Sequence, residues 1–182
     1  MVRLGQNFLT DPNLLDAIVR DAELTAEDWV LEVGVGEGVL TTRLAAVASG
    51  VHAIELDQGL EPLLSEVAKV PNVNLIWADA VKYPLQSLQP APTAMVANLP
   101  YSVATPLIMR TIFEVPTIRK WMVMVQKEIA DRLRAEPGSR TYGGPSVLAQ
   151  LAGEVRQVRK VSRGVFRPPP RVDSAIISIT RA

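Results

Sequence analysis

Trp29-Val30-Leu31-Glu32-Val33-Gly34-Val35-Gly36-Glu37-Gly38 decides the fold. A short β-prone run, Trp29 to Val33, breaks into alternating glycines, and a helical pattern follows from Val39 to Ala48. Strand, glycine turn and helix form the opening unit of an open α/β sheet, where ligands bind beyond the carboxyl ends of the strands. Further strands are predicted at Val51–Glu55, Val73–Trp77, Ala94–Ala97 and Trp121–Val125. Helical patterns run from Asn13 to Val19, Gly59 to Val70, Thr105 to Phe113, Lys127 to Ala135 and Ser146 to Ala152. Thr10 or Asp11 can cap the first of these, and Pro12 suits its first turn. Val155–Val161 and Ala175–Thr180 are separated by a loop and no helix, so they are expected to pair antiparallel. The expectation is one α/β domain over residues 1–182, of the doubly wound Rossmann-like type. Its sheet has seven strands, mainly parallel with an antiparallel last strand, and helices cover both faces.

Composition narrows the chemistry. There is no cysteine, which excludes disulfides, thiolate zinc sites, cysteine nucleophiles and the zinc deaminases that act on bases. No metal is expected. The N-terminus lacks the apolar core of a signal peptide, and no apolar run is long enough to span a bilayer. A cytoplasmic monomer with no membrane partner is therefore expected. The zero net charge conceals a split: residues 1–100 hold 5 Lys/Arg against 13 Asp/Glu, and residues 101–182 hold 14 against 6. An acidic half suits a cationic small ligand and a basic half suits a phosphate backbone. Ordinary solvated faces are the plain alternative.

The glycines Gly34, Gly36 and Gly38 have G-x-G-x-G spacing, not the dinucleotide G-x-G-x-x-G, and alone they say little. Glu55 adds to them. It ends the second strand about 20 residues on, where an acid can accept from both ribose hydroxyls. Asp57 follows, and Asp79 ends the third strand, where a carboxylate can accept from an adenine amine. Such acids fit a ligand that combines ribose, adenine and positive charge, and they would repel a pyrophosphate. S-adenosylmethionine, a sulfonium, meets these requirements. Capping of the following helices is the alternative role for Asp57 and Asp79.

Asn98-Leu99-Pro100-Tyr101 leaves the fourth strand at the same edge. An exocyclic adenine amine is a poor nucleophile because its lone pair is delocalised into the ring. Acceptors aimed at its N–H bonds favour the pyramidal form that can attack a methyl group. The Asn98 side-chain oxygen and a carbonyl near Leu99 or Pro100 can supply them, and Tyr101 can stack on the base. Pro100 fixes the turn and holds Leu99 extended. Positioning then supplies much of the rate, and no strong general base is required. Phe166 lies before Pro168-Pro169-Pro170 and can cover the other face of an extruded base. Composition alone favours core packing for Phe166. His52, the single histidine, is expected to be structural. Arg132, Arg134, Arg156, Arg163, Arg167 and Arg171 are among the basic residues able to position a nucleic acid, without single roles.

Taken in order, these pieces resemble the ribosomal RNA adenine dimethyltransferases. The matching stretches are Leu4-Gly5-Gln6-Asn7-Phe8-Leu9, Leu31 to Gly38, Glu55-Leu56-Asp57, Asp79-Ala80, Asn98 to Tyr101, Val125 to Glu128, Tyr142-Gly143 and Val165 to Ser174. The resemblance implies a class I S-adenosylmethionine-dependent methyltransferase fold. It also implies transfer of methyl groups to adenine N6 in small-subunit (16S) ribosomal RNA, with S-adenosylhomocysteine as product. It brings Gln6, Asn7 and Leu9 to the cofactor site. The candidate cofactor residues are thus Gln6, Asn7, Leu9, Gly34, Gly36, Glu55, Leu56, Asp79, Ala80 and Asn98. The candidate catalytic residues are Asn98, Leu99, Pro100, Tyr101 and Phe166. The expected partners are ribosomal RNA and the small ribosomal subunit. Members of the family usually carry a further helical domain beyond the position of Ala182, and they are usually basic. A catalytic domain alone is therefore expected here. Pro145 stands where the family commonly has leucine. Two alternatives stay open: a large-subunit ribosomal RNA methyltransferase of the antibiotic-resistance type, and a non-catalytic RNA-binding or ribosome-assembly module.

Overall fold

The computed structural model describes residues 6–182; Leu4 and Gly5 of the N-terminal motif lie outside the described residues. The elements in chain order are β1 (Phe8–Leu9), α1 (Pro12–Asp21), β2 (Trp29–Val33), α2 (Val39–Val47), β3 (Gly50–Glu55), β4 (Val73–Trp77), β5 (Ala94–Asn98), α3 (Ala104–Glu114), β6 (Lys120–Gln126), α4 (Lys127–Leu133), α5 (Gly144–Ala152), β7 (Gly153–Val161), β8 (Phe166–Arg167) and β9 (Ser174–Arg181). Seven strands form one sheet in the order β4-β3-β2-β5-β6-β9-β7. All pairs from β4 through β6 are parallel, and β9 runs antiparallel to both β6 and β7. The last strand thus inserts between its predecessors, and it is the strand that breaks the parallel rule, as expected from the sequence.

The central strands are apolar on both faces because both are covered. Leu31, Met95, Ala97, Val123 and Val125 pack with Leu107, Ile108 and Ile112 of α3, Leu133 of α4 and Ala149 of α5. Val30, Val96, Met122 and Met124 pack on the opposite side with Leu15 and Ile18 of α1 and Leu40 and Leu44 of α2. Asp11 caps α1, its carboxylate accepting from the backbone N–H groups of Asn13 (2.9 Å) and Leu14 (3.2 Å).

The helix expected over Gly59–Val70 is corrected. This segment holds two single 3₁₀ turns, Gln58–Leu60 and Val67–Lys69, joined by further turns. Glu61, before Pro62, is itself helical (φ −51°, ψ −44°), and the N–H groups of Leu64 and Ala68 still reach the carbonyls four residues back, at 3.0 and 2.9 Å, but these bonds do not join into a continuous ladder. The segment is still anchored: Leu64 and Val67 press on Gly38, where a Cβ would lie 2.5 Å from Val67 Cγ2.

Strand order reverses beside β2. The chain moves outward through β3 and β4 on one side and through β5 and β6 on the other. Register aligns the strand ends, with Val33 opposite Ile54, Glu55 opposite Trp77 and Asn98 opposite Met124. The segments leaving β2 and β5 therefore diverge at one edge and open the crevice in which this class of sheet binds ligands.

Candidate active site

A cavity of about 400 Å³ opens at this edge. Gly34 forms its centre. Its φ is +82°, and a Cβ there would stand 3.1 Å from Pro100 Cδ and 3.3 Å from the Asn98 carbonyl oxygen. Only glycine allows the loop after β2 to turn this way and touch the turn after β5. The glycine loop and the Asn98–Tyr101 turn are thereby one wall.

Glu55, 5 % exposed, holds the loop from the neighbouring strand. Its Oε2 accepts the Gly36 N–H at 3.0 Å, and its Oε1 accepts the Asp57 N–H at 2.9 Å. A carboxylate has about four acceptor positions, so two remain for a ligand. Asp79 also lines the cavity, and its Oδ1 accepts the Val81 N–H at 3.0 Å. No helix directly follows Asp79, so its carboxylate closes a turn and lines the cavity and caps no helix. Asp57 has a purely structural place: its Oδ1 accepts from Gly59 N at 3.0 Å, and its Oδ2 accepts from Gln6 Nε2 at 3.0 Å.

Gln6, Asn7, Leu9, Gly34, Gly36, Glu55, Leu56, Asp79 and Ala80 all line this cavity, as do Asn98, Leu99, Pro100 and Tyr101. Burial raises the Tyr101 pKa, partly offset by the Ser174 hydroxyl 2.8 Å away, so the phenol stays neutral. His52 sits elsewhere in the fold, fully buried. It bonds the Pro90 carbonyl (2.7 Å) and Asn74 Nδ2 (3.0 Å) and stacks on Trp29, the structural place expected of it.

Phe166 requires a correction. It is 1 % exposed and does not line the cavity. It pairs with Leu9 across the short β1–β8 ladder and packs in the same apolar cluster as Leu15, Ile18 and Ile176. Apolar burial holds the ring there, so in this structure it does not cover a base.

Glu32 was not singled out by sequence pattern, yet it lines the cavity at 1 % exposure. Thr41 Oγ1 donates to its Oε2 at 2.5 Å. Burial raises its pKa to about 8; the Thr41 bond opposes the rise and the nearby Glu55 adds to it. A carboxylate inside the apolar run Trp29–Val33 was the available signal. With Glu37, Glu55 and Asp79 it gives the lining four carboxyl groups, of which Glu32 keeps its proton at neutral pH, and among the described residues the lining has no Lys or Arg. Such a wall favours a cation and opposes a phosphate.

The sequence profile of the ribosomal RNA adenine dimethylase family matches residues 2–182. The ribosomal RNA small subunit methyltransferase A of Corynebacterium glutamicum (strain R) is 43 % identical over 185 residues, covering 98 % of this chain and 63 % of the relative. The protein of the same name from Rubrobacter xylanophilus is 44 % identical over 180 residues, covering 98 % of this chain and 68 % of its own length. This chain thus spans under two thirds of the length of the first of these relatives. Among solved structures, a dimethyladenosine transferase from Plasmodium falciparum superposes with TM-score 0.86 at 31 % identity, over 96 % of this chain and 63 % of that one. The 23S rRNA methyltransferase ErmE superposes with TM-score 0.85 at 33 % identity, over 97 % of this chain and 70 % of that one. The fold is thus the Rossmann-like fold of class I methyltransferases, with the cavity at its strand-order reversal. With a profile match across residues 2–182 and relatives above 40 % identity, the chain belongs to the ribosomal RNA adenine dimethylase family.

Proposed function

We propose that this chain transfers methyl groups from S-adenosylmethionine to adenine N6 in small-subunit ribosomal RNA, giving N6,N6-dimethyladenosine. The observation that carries the reading is the meeting of Glu55, Asp79 and Asn98–Tyr101 on one cavity with a wholly acidic charged lining. The cofactor fits this donor set. Glu55 and Asp79 are acceptors for ribose hydroxyls and an adenine amine, Gly34 and Gly36 give close backbone approach, and the acids suit a positive charge. When bound, the cofactor supplies an electrophilic methyl group.

The chain's own residues orient the target. The Asn98 side-chain oxygen and a carbonyl of the Leu99-Pro100 turn accept from the target amine and favour its pyramidal form. Tyr101 offers a ring for stacking, held by its bond to Ser174. The contact of Gly34 with Pro100 fixes the spacing between the two halves of the cavity, so positioning, not proton transfer, is the main contribution to rate. Small subunits assemble in the cytoplasm, and the reading puts the protein there.

A second reading, methylation of large-subunit ribosomal RNA, has the likeness to ErmE in its favour. One experiment separates them. Labelled S-adenosylmethionine is supplied with small subunits lacking the modification, and with large subunits in parallel. Dimethyladenine in the small subunit is the expected result. Label in the large subunit alone supports the second reading. No label in either, with cofactor binding intact by calorimetry, overturns the proposal for this chain.

A further inference from the structure

Several cations of the basic half are held in ion pairs. Arg132 pairs with Glu128 at 3.1 Å, and Lys127 and Arg134 both pair with Asp131. Arg156 pairs with Glu154 at 2.6 Å and Arg159 with Asp21 at 2.8 Å. Each of these cations has a carboxylate beside it, Lys127 and Arg134 sharing one, which reduces the field they present to a polyanion. Arg163, Arg167 and Arg171 differ. All three are exposed, and no ion pair forms with any of them among the described residues; Arg119, Arg140 and Lys160 share that state, but only these three lie together on the loop before Ser174. The carboxylate nearest in sequence, Asp173, accepts the Arg163 backbone N–H at 3.1 Å.

The loop that carries them is tied to the cavity at two points, its middle and the residue where it enters β9. Arg167 pairs with Phe8, and Phe8 lines the cavity against Gly36. At the entry to β9 Ser174 bonds the Tyr101 hydroxyl. Before the first anchor Thr10 N donates to the Val165 carbonyl at 3.0 Å, Arg163 Nη1 reaches across to the Arg171 carbonyl at 3.1 Å, and Pro168-Pro169-Pro170 limits the backbone between the anchors. Guanidinium groups on a backbone so restrained lose less freedom on binding, and their planar donors match phosphate oxygens.

We propose that Arg163, Arg167 and Arg171 form a clamp on the RNA backbone beside the nucleotide presented to the cavity, and that the ion-paired arginines of α4 and β7 take no part. This rests on the methyl-transfer reading above. Phosphate contacts of this kind set register and orientation without reading sequence.

The test is a salt titration of binding to an RNA hairpin from the 3′ end of small-subunit ribosomal RNA. Loss of three phosphate contacts lowers the log–log salt slope by about 2, so the wild-type advantage over R163Q/R167Q/R171Q shrinks about 20-fold between 50 and 200 mM salt. The control R132Q/R134Q/R156Q keeps the wild-type slope. Cofactor affinity by calorimetry stays unchanged in both, which reports a folded cavity. Arg163 also bonds the loop backbone; if the triple variant does not fold, R167Q/R171Q replaces it, with a slope loss of about 1.4. An unchanged slope in the loop variants, or an equal loss in the control, overturns the clamp. A wild-type chain that binds cofactor but neither binds nor methylates ribosomal RNA overturns the functional reading and the clamp with it.

Discussion

Glu32→Gln tests the electrostatics of the cavity without changing its shape. Glu32 is buried, and its carboxyl is shifted from 4.5 to about 8, above all by loss of hydration. In the unfolded chain the group ionises near 4.5; in the folded protein it keeps its proton until about pH 8. The folded state therefore binds the extra proton in this window, and stability falls as pH rises from 4.5 through 8 and then levels off. The full span of 3.5 units corresponds to about 5 kcal/mol, of which roughly 3 kcal/mol falls between pH 6 and pH 9. Glutamine keeps a partner for Thr41 and removes the titration. The assay is denaturant unfolding of both proteins at pH 6, 7, 8 and 9 without cofactor. The stability gap between Glu32→Gln and wild type should widen by about 3 kcal/mol across that range, in favour of the variant at high pH. Profiles that run parallel would show that Glu32 does not hold the proton and would refute the reasoning.

A cation entering the cavity lowers the Glu32 pKa, so S-adenosylmethionine binding at pH 7 should release a proton that Glu32→Gln does not release; calorimetry in buffers of different ionisation enthalpy measures it. Asn98→Ala should abolish methyl transfer while largely preserving cofactor affinity, read from labelled transfer and calorimetry together; equal loss of both would make Asn98 mainly a cofactor ligand. Glu55→Ala removes two proposed charge-assisted bonds to ribose and frees the Gly36 N–H, so cofactor affinity should fall on the order of 100-fold. Unchanged affinity would remove the ribose assignment. Gly34→Ala meets both a φ of +82° and Pro100 at 3.1 Å, so it should cost about 1–2 kcal/mol in denaturant unfolding and lower transfer by moving the Asn98 turn. Wild-type stability and rate would show that the two walls are not coupled.

The central strands were legible because they are buried on both faces, so a run such as Ala94–Ala97 carries no polar interruption, whereas β7 was legible by its alternation. The glycine loop and the acids at the ends of β3 and β4 were legible because the fold class fixes where strand ends meet ligands. Three things were not. Helical periodicity over Gly59–Val70 did not show that the segment resolves into separate turns, because Leu64 and Val67 reach Gly38 from a helix-like apolar spacing in either case. Phe166 has the same aromatic character whether it covers a base or fills a core, and only its pairing with Leu9 decides between them. The place of β9 between β6 and β7 depends on long-range pairing, such as Val123 with Ile177, which no local pattern encodes.

The charge split along the chain has a structural counterpart that neither half shows alone. The cavity acids other than the protonated Glu32, namely Glu37, Glu55 and Asp79, come from the first hundred residues; the exposed arginines Arg163, Arg167 and Arg171 come from the last part of the chain. The fold joins them through two contacts, Phe8 with Arg167 and Tyr101 with Ser174. A polyanion drawn to the arginine loop is opposed at the cavity wall, where the lining acids repel phosphate and admit neutral or cationic groups. Under the proposed function that opposition sorts a nucleotide: its backbone stays at the rim while its uncharged base enters. The same acids favour a cationic cofactor over its neutral-sulfur product, so the gradient that seats the base also favours departure of the spent cofactor. Screening by salt weakens attraction at the exposed rim far more than repulsion in the buried cavity, so raising salt should lower RNA affinity while leaving cofactor affinity nearly unchanged.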